Sequence, residues 1–166
     1  MGLSVGIITY NEEKNILKVI KSVEKIADEI IIVDSNSTDN TVDLAKKNGA
    51  QVFIENWKGY GPQKNSVIEK CNHDWILLID ADEVVSEKLR KRIFKIINNK
   101  PEFEVYKINF TAVCFGKTIK YGGWSNHYRI RLFRRGSGLY NDREVHEKVV
   151  TKSLVGKIKE DLCHYS

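Results

Sequence analysis

Residues 75 to 83 read Trp75-Ile76-Leu77-Leu78-Ile79-Asp80-Ala81-Asp82-Glu83, an unbroken apolar run followed by an acidic segment. A continuous apolar run of this length predicts a strand that is buried on both faces, as in a parallel sheet. The acidic residues then lie just beyond the carboxyl end of that strand. Asp80 and Asp82 can point into one crevice, where their like charges repel unless a cation lies between them.

Strands and helices alternate on the N-terminal side of this segment. Further strands are predicted at residues 3–9, 29–33 and 50–54, with apolar residues at helical spacing between them. Ser86 is predicted to cap the helix that follows. This alternation predicts an α/β fold with right-handed crossovers and a mostly parallel central sheet. After Pro101 the β-rich segments 104–111 and 127–133 are expected to extend the sheet or to form a small mixed one.

Composition is that of an ordinary globular protein. The 166 residues are 42% hydrophobic and 30% charged, which fits one domain. No apolar stretch approaches the roughly 20 residues needed to cross a bilayer, and no secretion leader precedes the first strand. We therefore expect a cytoplasmic location. Cys71, Cys114 and Cys163 are far apart and are interpreted as reduced packing residues.

The net charge of +5 is unevenly distributed. Residues 117–135 contain six basic side chains and no acidic one. Such a block favours phosphate, nucleic acid or an anionic membrane surface, and a solvated basic face is the alternative.

Polar residues follow each predicted strand, where ligands of open α/β sheets bind. They are Thr9, Tyr10, Asn11 and Glu12 after the first strand, Asp34 and Ser35 after the second, Lys64 after the third, and Asp80 and Asp82 after the fourth. Paired carboxylates suit Mg²⁺ or Mn²⁺, which prefer oxygen ligands.

Several of these residues also have structural interpretations. Asp34 could stabilise a turn, although Asp39 is the better helix-capping candidate and leaves Asp34 available to a nucleobase. Glu83 could mark a solvated turn. In the segment from Gly59 to Lys64, Lys64 replaces the third glycine of the dinucleotide-binding pattern Gly-x-Gly-x-x-Gly. We therefore expect the backbone of this segment to approach a ligand closely, with Lys64 supplying positive charge.

A late segment, Asp142-Arg143-Glu144-Val145-His146-Glu147, is dense in ionisable residues. It is either a charged loop or the source of a general base. His127 and His164 are isolated and are interpreted as structural, with phosphate binding as the alternative.

Four motifs in this order resemble the inverting family 2 glycosyltransferases, which have the GT-A nucleotide-binding α/β sandwich. The matching segments are Ile8-Thr9-Tyr10-Asn11-Glu12, Val33-Asp34-Ser35-Asn36-Ser37-Thr38-Asp39-Asn40-Thr41, Gly61-Pro62-Gln63-Lys64-Asn65 and Leu78-Ile79-Asp80-Ala81-Asp82-Glu83. Residues 124–135 and 143–147 look most like the branch of lipopolysaccharide-core β-1,4-glucosyltransferases.

The resemblance implies a role for each matching residue. Thr9, Asn11, Glu12 and Asp34 would surround uridine, Lys64 would lie near the nucleotide, Asp82 would be the principal ligand of a divalent metal, and Asp80 would contact ribose or metal. The family's Glu-Asp base motif is absent, and Glu147 stands in its place, with Glu144 as second choice. His146, Arg129, Arg131 and Trp124 are candidates for diphosphate or acceptor contacts.

The resemblance also implies the reaction and its partners. A sugar, most simply from UDP-hexose, would pass to a cell-envelope glycan or lipid such as lipopolysaccharide core. Residues 1–166 would form one domain, with a nucleotide-sugar part at 1–100 and an acceptor-side part at 101–166 that is truncated relative to longer family members. Apart from the resemblance, the basic segment at 117–135 could meet anionic lipids, so a peripheral contact with the inner face of the cytoplasmic membrane is a further expectation.

Two rival functions stay open at this point. A metal-dependent nucleotidyltransferase would also place carboxylates on an α/β sheet, but it would release pyrophosphate. A nucleic-acid-binding domain would use the basic segment and its aromatic residues. We expect no nucleic acid as partner, because that function leaves the strand-end motifs unexplained.

Overall fold

The computed structural model describes residues 2–114, 117–118, 127–141 and 147–165. Helices and strands alternate up to residue 98, and strands follow. The elements are β1 (Leu3–Thr9), α1 (Ile16–Val23), β2 (Glu29–Asp34), α2 (Thr41–Lys47), β3 (Gln51–Ile54), α3 (Tyr60–Lys70), β4 (Trp75–Asp80), β5 (Glu83–Val85), α4 (Glu87–Asn98), β6 (Val105–Cys114), β7 (Lys117–Thr118), β8 (His127–Arg134), β9 (Leu139–Tyr140), β10 (Val149–Val150) and β11 (Val155–Tyr165).

The central sheet has the strand order β3-β2-β1-β4-β8-β6-β11-β5. Its first four strands are parallel, as the alternating pattern predicts. Strand β8 runs antiparallel to both β4 and β6, while β11 runs parallel to β6. The α/β prediction is confirmed, and the β-rich segments after Pro101 extend the same sheet.

Helices cover both faces of the sheet. One buried cluster packs α1, α2 and α4 against the sheet, and a second packs α3 and Tyr140 against the opposite face. Strand β4 lies between them, and Trp75 to Ile79 are at most 1% exposed. The side chain of Ser86 accepts a hydrogen bond from Leu89 N at 3.2 Å, which confirms the predicted cap of α4.

Helix α3 packs very close to β1. A Cβ atom on Gly6 would lie 2.4 Å from Val67 Cγ1 and 2.7 Å from Leu78 Cδ1. Only glycine fits there, so this residue sets how closely α3 approaches the sheet edge that carries the polar residues.

Strands β5 and β11, which reach the acidic segment, were not expected from the sequence. Strand β11 alternates lysines with apolar residues, and a register shift between Ile158 and Asp161 interrupts its pairing with β6. Its last residues pair with β5, and His164 lies opposite Glu83. This pairing carries the end of β11 to the acidic segment. None of the helices in the described part of the chain is long and apolar enough to cross a bilayer.

Candidate active site

The carboxyl ends of β1, β2 and β4 meet at one edge of the sheet. Thr9 lies opposite Asp34, and Ile8 lies opposite Asp80. Strand β1 has β2 on one side and β4 on the other, so the strand order reverses here, and ligands of open α/β sheets bind at such switch points. A cavity of about 840 Å³ opens at this edge, and its lining includes Thr9, Glu12, Asp80, Asp82 and His164.

Asp34 is completely buried at the end of β2. Its Oδ1 accepts hydrogen bonds from Thr9 Oγ1 at 2.7 Å and from Ser37 Oγ at 2.5 Å. Its Oδ2 accepts one from Ser37 N at 2.7 Å. Asp34 therefore stabilises the loop after β2, which is the turn role left open above. Contact with a nucleobase stays a prediction.

Asn11 and Glu12 connect the first two loops. Asn11 has a left-handed backbone with φ of 53°, and its Oδ1 accepts a hydrogen bond from Thr38 N at 2.8 Å. Glu12 N donates to Thr41 Oγ1 at 2.7 Å, and its carbonyl accepts from Ile16 N at the start of α1. At the start of α2, Asp39 Oδ1 accepts a hydrogen bond from Thr41 N at 3.0 Å. These bonds fix the loops that line the cavity.

Three exposed aromatic side chains line the same cavity. Tyr10 is 60% exposed, and Trp57 and Tyr60 are each 50% exposed. The Trp57 and Tyr60 rings meet edge to face with centroids 4.8 Å apart. Trp57 was not among the predicted site residues. The sequence signal that could have identified it is the pair of aromatic residues, Trp57 and Tyr60, that flank Gly59.

Asp80 lies in a network of buried charges. Its Oδ1 lies 2.9 Å from Lys64 Nζ, and its Oδ2 lies 2.8 Å from an Arg131 Nη atom. The same Arg131 nitrogen lies 2.6 Å from Glu83 Oε1. The side chains of Lys64, Glu83 and Arg131 are at most 4% exposed. The interpretation of Glu83 as a solvated turn residue is therefore wrong, since this carboxyl group is fully buried.

The two carboxyl groups of this network have opposite pKa shifts. Burial by itself raises the pKa of Asp80, but the charges of Arg131 and Lys64 outweigh it and lower that pKa well below its ordinary value. Burial raises the pKa of Glu83, and Arg131 counteracts this only in part. The two cations therefore favour the ionised form of Asp80, whereas burial favours the neutral form of Glu83.

Asp82 has different surroundings from Asp80. Its Oδ2 lies 2.9 Å from His164 Nε2, and about a third of each side chain is exposed, 34% for Asp82 and 30% for His164. The Asp82 carbonyl accepts a hydrogen bond from Tyr165 N at 3.0 Å, which fixes β11 to this loop. Both side chains line the cavity. No motif near His164 predicts this contact, because the β5–β11 pairing alone creates it.

A carboxylate and an imidazole are suitable ligands for a divalent ion. Asp82 and His164 meet that requirement at the cavity wall, whereas Asp80 would first have to leave its ion pairs. Within the described ranges, no three His, Cys, Asp or Glu side chains cluster as a metal site. Metal binding by Asp80 and Asp82 stays a prediction.

Glu147 lies on the other side of Lys64. Its Oε1 lies 2.8 Å from Lys64 Nζ, so this lysine bridges Glu147 and Asp80. A second cavity of about 450 Å³ is lined by Glu147, Arg129, Arg131 and Tyr140, among others. The predicted base thus lies next to the acidic edge of the sheet. Glu144, His146 and Trp124 fall outside the described residues.

The two predicted arginines differ in access. Arg131 is buried, and another of its Nη atoms donates to Tyr140 Oη at 3.1 Å. Arg129 is exposed, lines both cavities and stacks over the Phe110 ring at 4.3 Å. Arg129 is therefore better placed to meet a ligand, whereas Arg131 holds Asp80 and Glu83 in position.

The sequence profile of Glycosyl transferase family 2 matches residues 4–158. The chain belongs to this family. Family membership agrees with the strand-end motifs, with the cavity at the switch point and with the acidic segment after β4.

A curated family 2 relative covers nearly the whole chain. The lipopolysaccharide core biosynthesis glycosyltransferase LpsC of Rhizobium meliloti is 33% identical over 170 residues, which are 98% of this chain and 63% of LpsC. An uncharacterized glycosyltransferase of Rickettsia typhi is 44% identical over 116 residues, which are 69% of this chain and 40% of that protein. The chain therefore spans less than two thirds of the length of these relatives.

Solved structures show the same GT-A architecture. TarS 1–349 of S. aureus in complex with UDP has a TM-score of 0.71 at 17% identity. The match covers 100% of this chain and 60% of the TarS chain. Glucosyl-3-phosphoglycerate synthase of Mycobacterium tuberculosis, in complex with Mn²⁺, UDP and glucosyl-3-phosphoglycerate, has a TM-score of 0.56 at 25% identity. That match covers 66% of this chain and 44% of the synthase.

Proposed function

We propose that this chain carries the donor site and the base of an inverting hexosyltransferase that uses a nucleoside-diphosphate sugar, most simply UDP-hexose. The observation that carries the proposal is the Lys64 bridge. It holds Glu147 Oε1 at 2.8 Å and Asp80 Oδ1 at 2.9 Å from a single nitrogen. A candidate base thus lies beside the acidic segment at which a family 2 donor is expected.

The donor would occupy the cavity at the ends of β1, β2 and β4. Thr9 and Asp34 shape the nucleoside end through their hydrogen bond of 2.7 Å. Exposed Tyr10 and Trp57 offer ring faces on which a base can stack. Arg129 offers a cation at the opposite end, suited to phosphate oxygens. Solved relatives hold UDP, which supports a uridine nucleotide here.

A divalent ion would be held by Asp82 and His164, whose side chains meet at 2.9 Å on the cavity wall. When bound, Mg²⁺ or Mn²⁺ would supply positive charge to the diphosphate as it leaves. The presence of Mn²⁺ in the complex of the mycobacterial synthase supports this part of the proposal.

Glu147 would act as the general base. It would accept the proton of the acceptor hydroxyl while that oxygen attacks the anomeric carbon on the face opposite the diphosphate. The bond from the anomeric carbon to the diphosphate oxygen breaks in the same displacement, so the configuration inverts. Lys64 orients Glu147 through their ion pair.

The acceptor is proposed to be an envelope glycan or glycolipid such as lipopolysaccharide core. The support is the name of LpsC, the relative that covers nearly the whole chain. We further propose that the reaction takes place on the cytoplasmic side of the membrane, where a lipid-linked acceptor would meet the donor.

Donor binding is tested by thermal shift with a panel of nucleotide sugars, each with and without Mn²⁺. A ligand at about 100 times its Kd adds about 2.7 kcal/mol to the free energy of unfolding, which moves the melting temperature by several degrees. UDP-sugars should raise the melting temperature when Mn²⁺ is present. The increase should be larger than that produced by nucleotides with other bases. The proposal fails if no nucleotide sugar raises the melting temperature.

Product analysis then separates the enzymatic rivals. A glycosyltransferase releases the nucleoside diphosphate, whereas a nucleotidyltransferase releases pyrophosphate. Pyrophosphate as the released product would overturn the proposed reaction.

A further inference from the structure

The hairpin of β9 and β10, with the residues that follow it, exposes apolar and basic side chains together. Leu139, Val150 and Leu154 are 54%, 61% and 81% exposed. Lys148 and Lys152 are exposed between them along the chain. We call these five residues the basic-apolar edge.

The strand pairing turns these side chains outward. Val149 lies opposite Tyr140, and Val150 lies opposite Leu139. Tyr140 is 5% exposed and packs with Val149 in the core, so Val150 and Leu139 occupy the solvent face of the hairpin. From residue 147 to residue 154, exposed and half-buried residues alternate, which places Lys148, Val150, Lys152 and Leu154 on the outside.

Exposed charge around this edge is mostly basic, and its acidic neighbour is the exposed Glu104, whose carboxylate accepts hydrogen bonds from Ser137 and Ser153. In the described ranges 135–141 and 147–159, every exposed charged residue is basic. These residues are Arg135, Lys148, Lys152, Lys157 and Lys159. An anionic partner is therefore favoured over a second copy of the same surface, because two copies would bring like charges together.

We propose that the basic-apolar edge docks on an anionic lipid bilayer. Aliphatic side chains can enter the headgroup region, while neighbouring lysines extend their ammonium groups to lipid phosphates. Nucleic acid would instead need aromatic rings for base stacking, and the exposed apolar residues of this edge are all aliphatic.

Docking of this edge would place the candidate base near the membrane. Glu147 faces Lys64, and the next residue, Lys148, belongs to the basic-apolar edge. Lys148 also lines the cavity of about 450 Å³ that contains Glu147, so a membrane glycolipid would meet this cavity at the docked edge. This consequence rests on the proposed function, whereas lipid binding itself can be measured without donor or acceptor.

Vesicle sedimentation tests the inference. Wild-type chain is mixed with vesicles of phosphatidylcholine alone or of phosphatidylcholine with phosphatidylglycerol, at low and high salt. We expect binding to the anionic vesicles only, weakened by salt. Val150→Ser with Leu154→Ser should lower partitioning about tenfold or more without changing the charge. Lys148→Gln with Lys152→Gln should lower it about fivefold for each lysine.

Control variants carry the same changes elsewhere. Phe94 is 55% exposed and Lys91 is 73% exposed on α4, so Phe94→Ser and Lys91→Gln should leave partitioning unchanged. Equal loss in these controls, or no binding of wild type to anionic vesicles, would overturn the inference. Tighter binding to a single-stranded RNA, or a Leu154-dependent dimer without vesicle binding, would overturn it in favour of those partners.

A UDP titration on the same samples keeps the two proposals apart. Wild type that binds UDP with Mn²⁺ but ignores anionic vesicles contradicts membrane docking alone. Wild type that binds the vesicles but no nucleotide contradicts the proposed function and leaves membrane docking supported.

Discussion

Asp82 Oδ2 lies 2.9 Å from His164 Nε2, and the pairing of β5 with β11 creates this contact. The two side chains belong to distant parts of the sequence, yet they face the same cavity as the ends of the parallel strands. The acidic segment after β4 and the end of β11 therefore form one wall of this cavity.

Replacement of Asp82 or His164 is expected to weaken metal-dependent nucleotide binding. Asp82→Ala should remove the stimulation of UDP binding by Mn²⁺, and His164→Ala should reduce it about tenfold or more, because each removes a ligand group. Calorimetric titration of UDP with and without Mn²⁺ measures the effect. Asp43→Ala, at an exposed carboxylate on α2, is the control. Unchanged binding in Asp82→Ala would refute the assignment.

Glu147→Gln should separate chemistry from binding. The amide keeps the size of the side chain and can still accept a hydrogen bond from Lys64, but it cannot take a proton. Turnover should fall by about 10² to 10⁴ while the Kd for UDP stays nearly constant. Initial rates of UDP release and equilibrium titration give the two quantities. A variant with normal turnover would redirect the search to Glu144.

Lys64→Met should destabilise the fold strongly. Lys64 is 3% exposed and pairs with both Asp80 and Glu147, so its loss takes this cation from Glu147 and leaves Asp80 with Arg131 alone. The expected loss is about 3 kcal/mol in the free energy of unfolding, measured by urea denaturation. Lys91→Met is the matched control, since Lys91 and Glu87 are 73% and 65% exposed and their loss should change the free energy of unfolding far less.

A second change tests the cause of the Lys64 effect. Glu147→Gln in the Lys64→Met background removes the carboxylate that has lost its cation and should restore part of the lost stability. Additive losses in the double variant would show that packing of the lysine stem, rather than charge pairing, is responsible.

Acid should destabilise the protein through Glu55. Lys58, Lys70 and Ser66 bind this carboxylate and lower its pKa from 4.5 to about 2. Because the pKa of the folded state is below that of the unfolded state, the stabilisation is complete above about pH 4.5 and is lost as the pH falls towards 2. Glu55→Gln should therefore flatten the dependence of stability on pH in that window. Urea midpoints across the window measure it, and Asp43→Asn should keep the wild-type slope.

The parallel half of the sheet was predictable because its signals are local. The apolar run Trp75 to Ile79 indicates a buried strand by itself, and Ser86 marks the start of α4 within a few residues. The strand-end motifs placed Thr9, Asp34 and Asp80 at one edge for the same reason, since parallel strands end together.

The rest depended on contacts between distant segments. Arg131 reads in the sequence as one of six basic residues in an unpaired block, and the fold alone buries it against Glu83 and Asp80. His164 has no neighbouring motif and acquires its partner through the β5–β11 pairing. The consecutive charged residues Lys159, Glu160 and Asp161 interrupt the alternation of β11 at its register shift, so a search for apolar periodicity missed this strand.

The position of β11 sets an order for the growth of the chain on the ribosome. Strands β1 to β4 can assemble once residue 80 has emerged, but β5 pairs with β11, where Glu83 lies opposite His164, about 80 positions later in the chain. A nascent chain would thus possess the nucleoside end of the cavity well before Asp82 meets His164. Ligand capture during synthesis should accordingly begin with the nucleoside, and metal-dependent capture should start only when residue 164 has emerged from the ribosome.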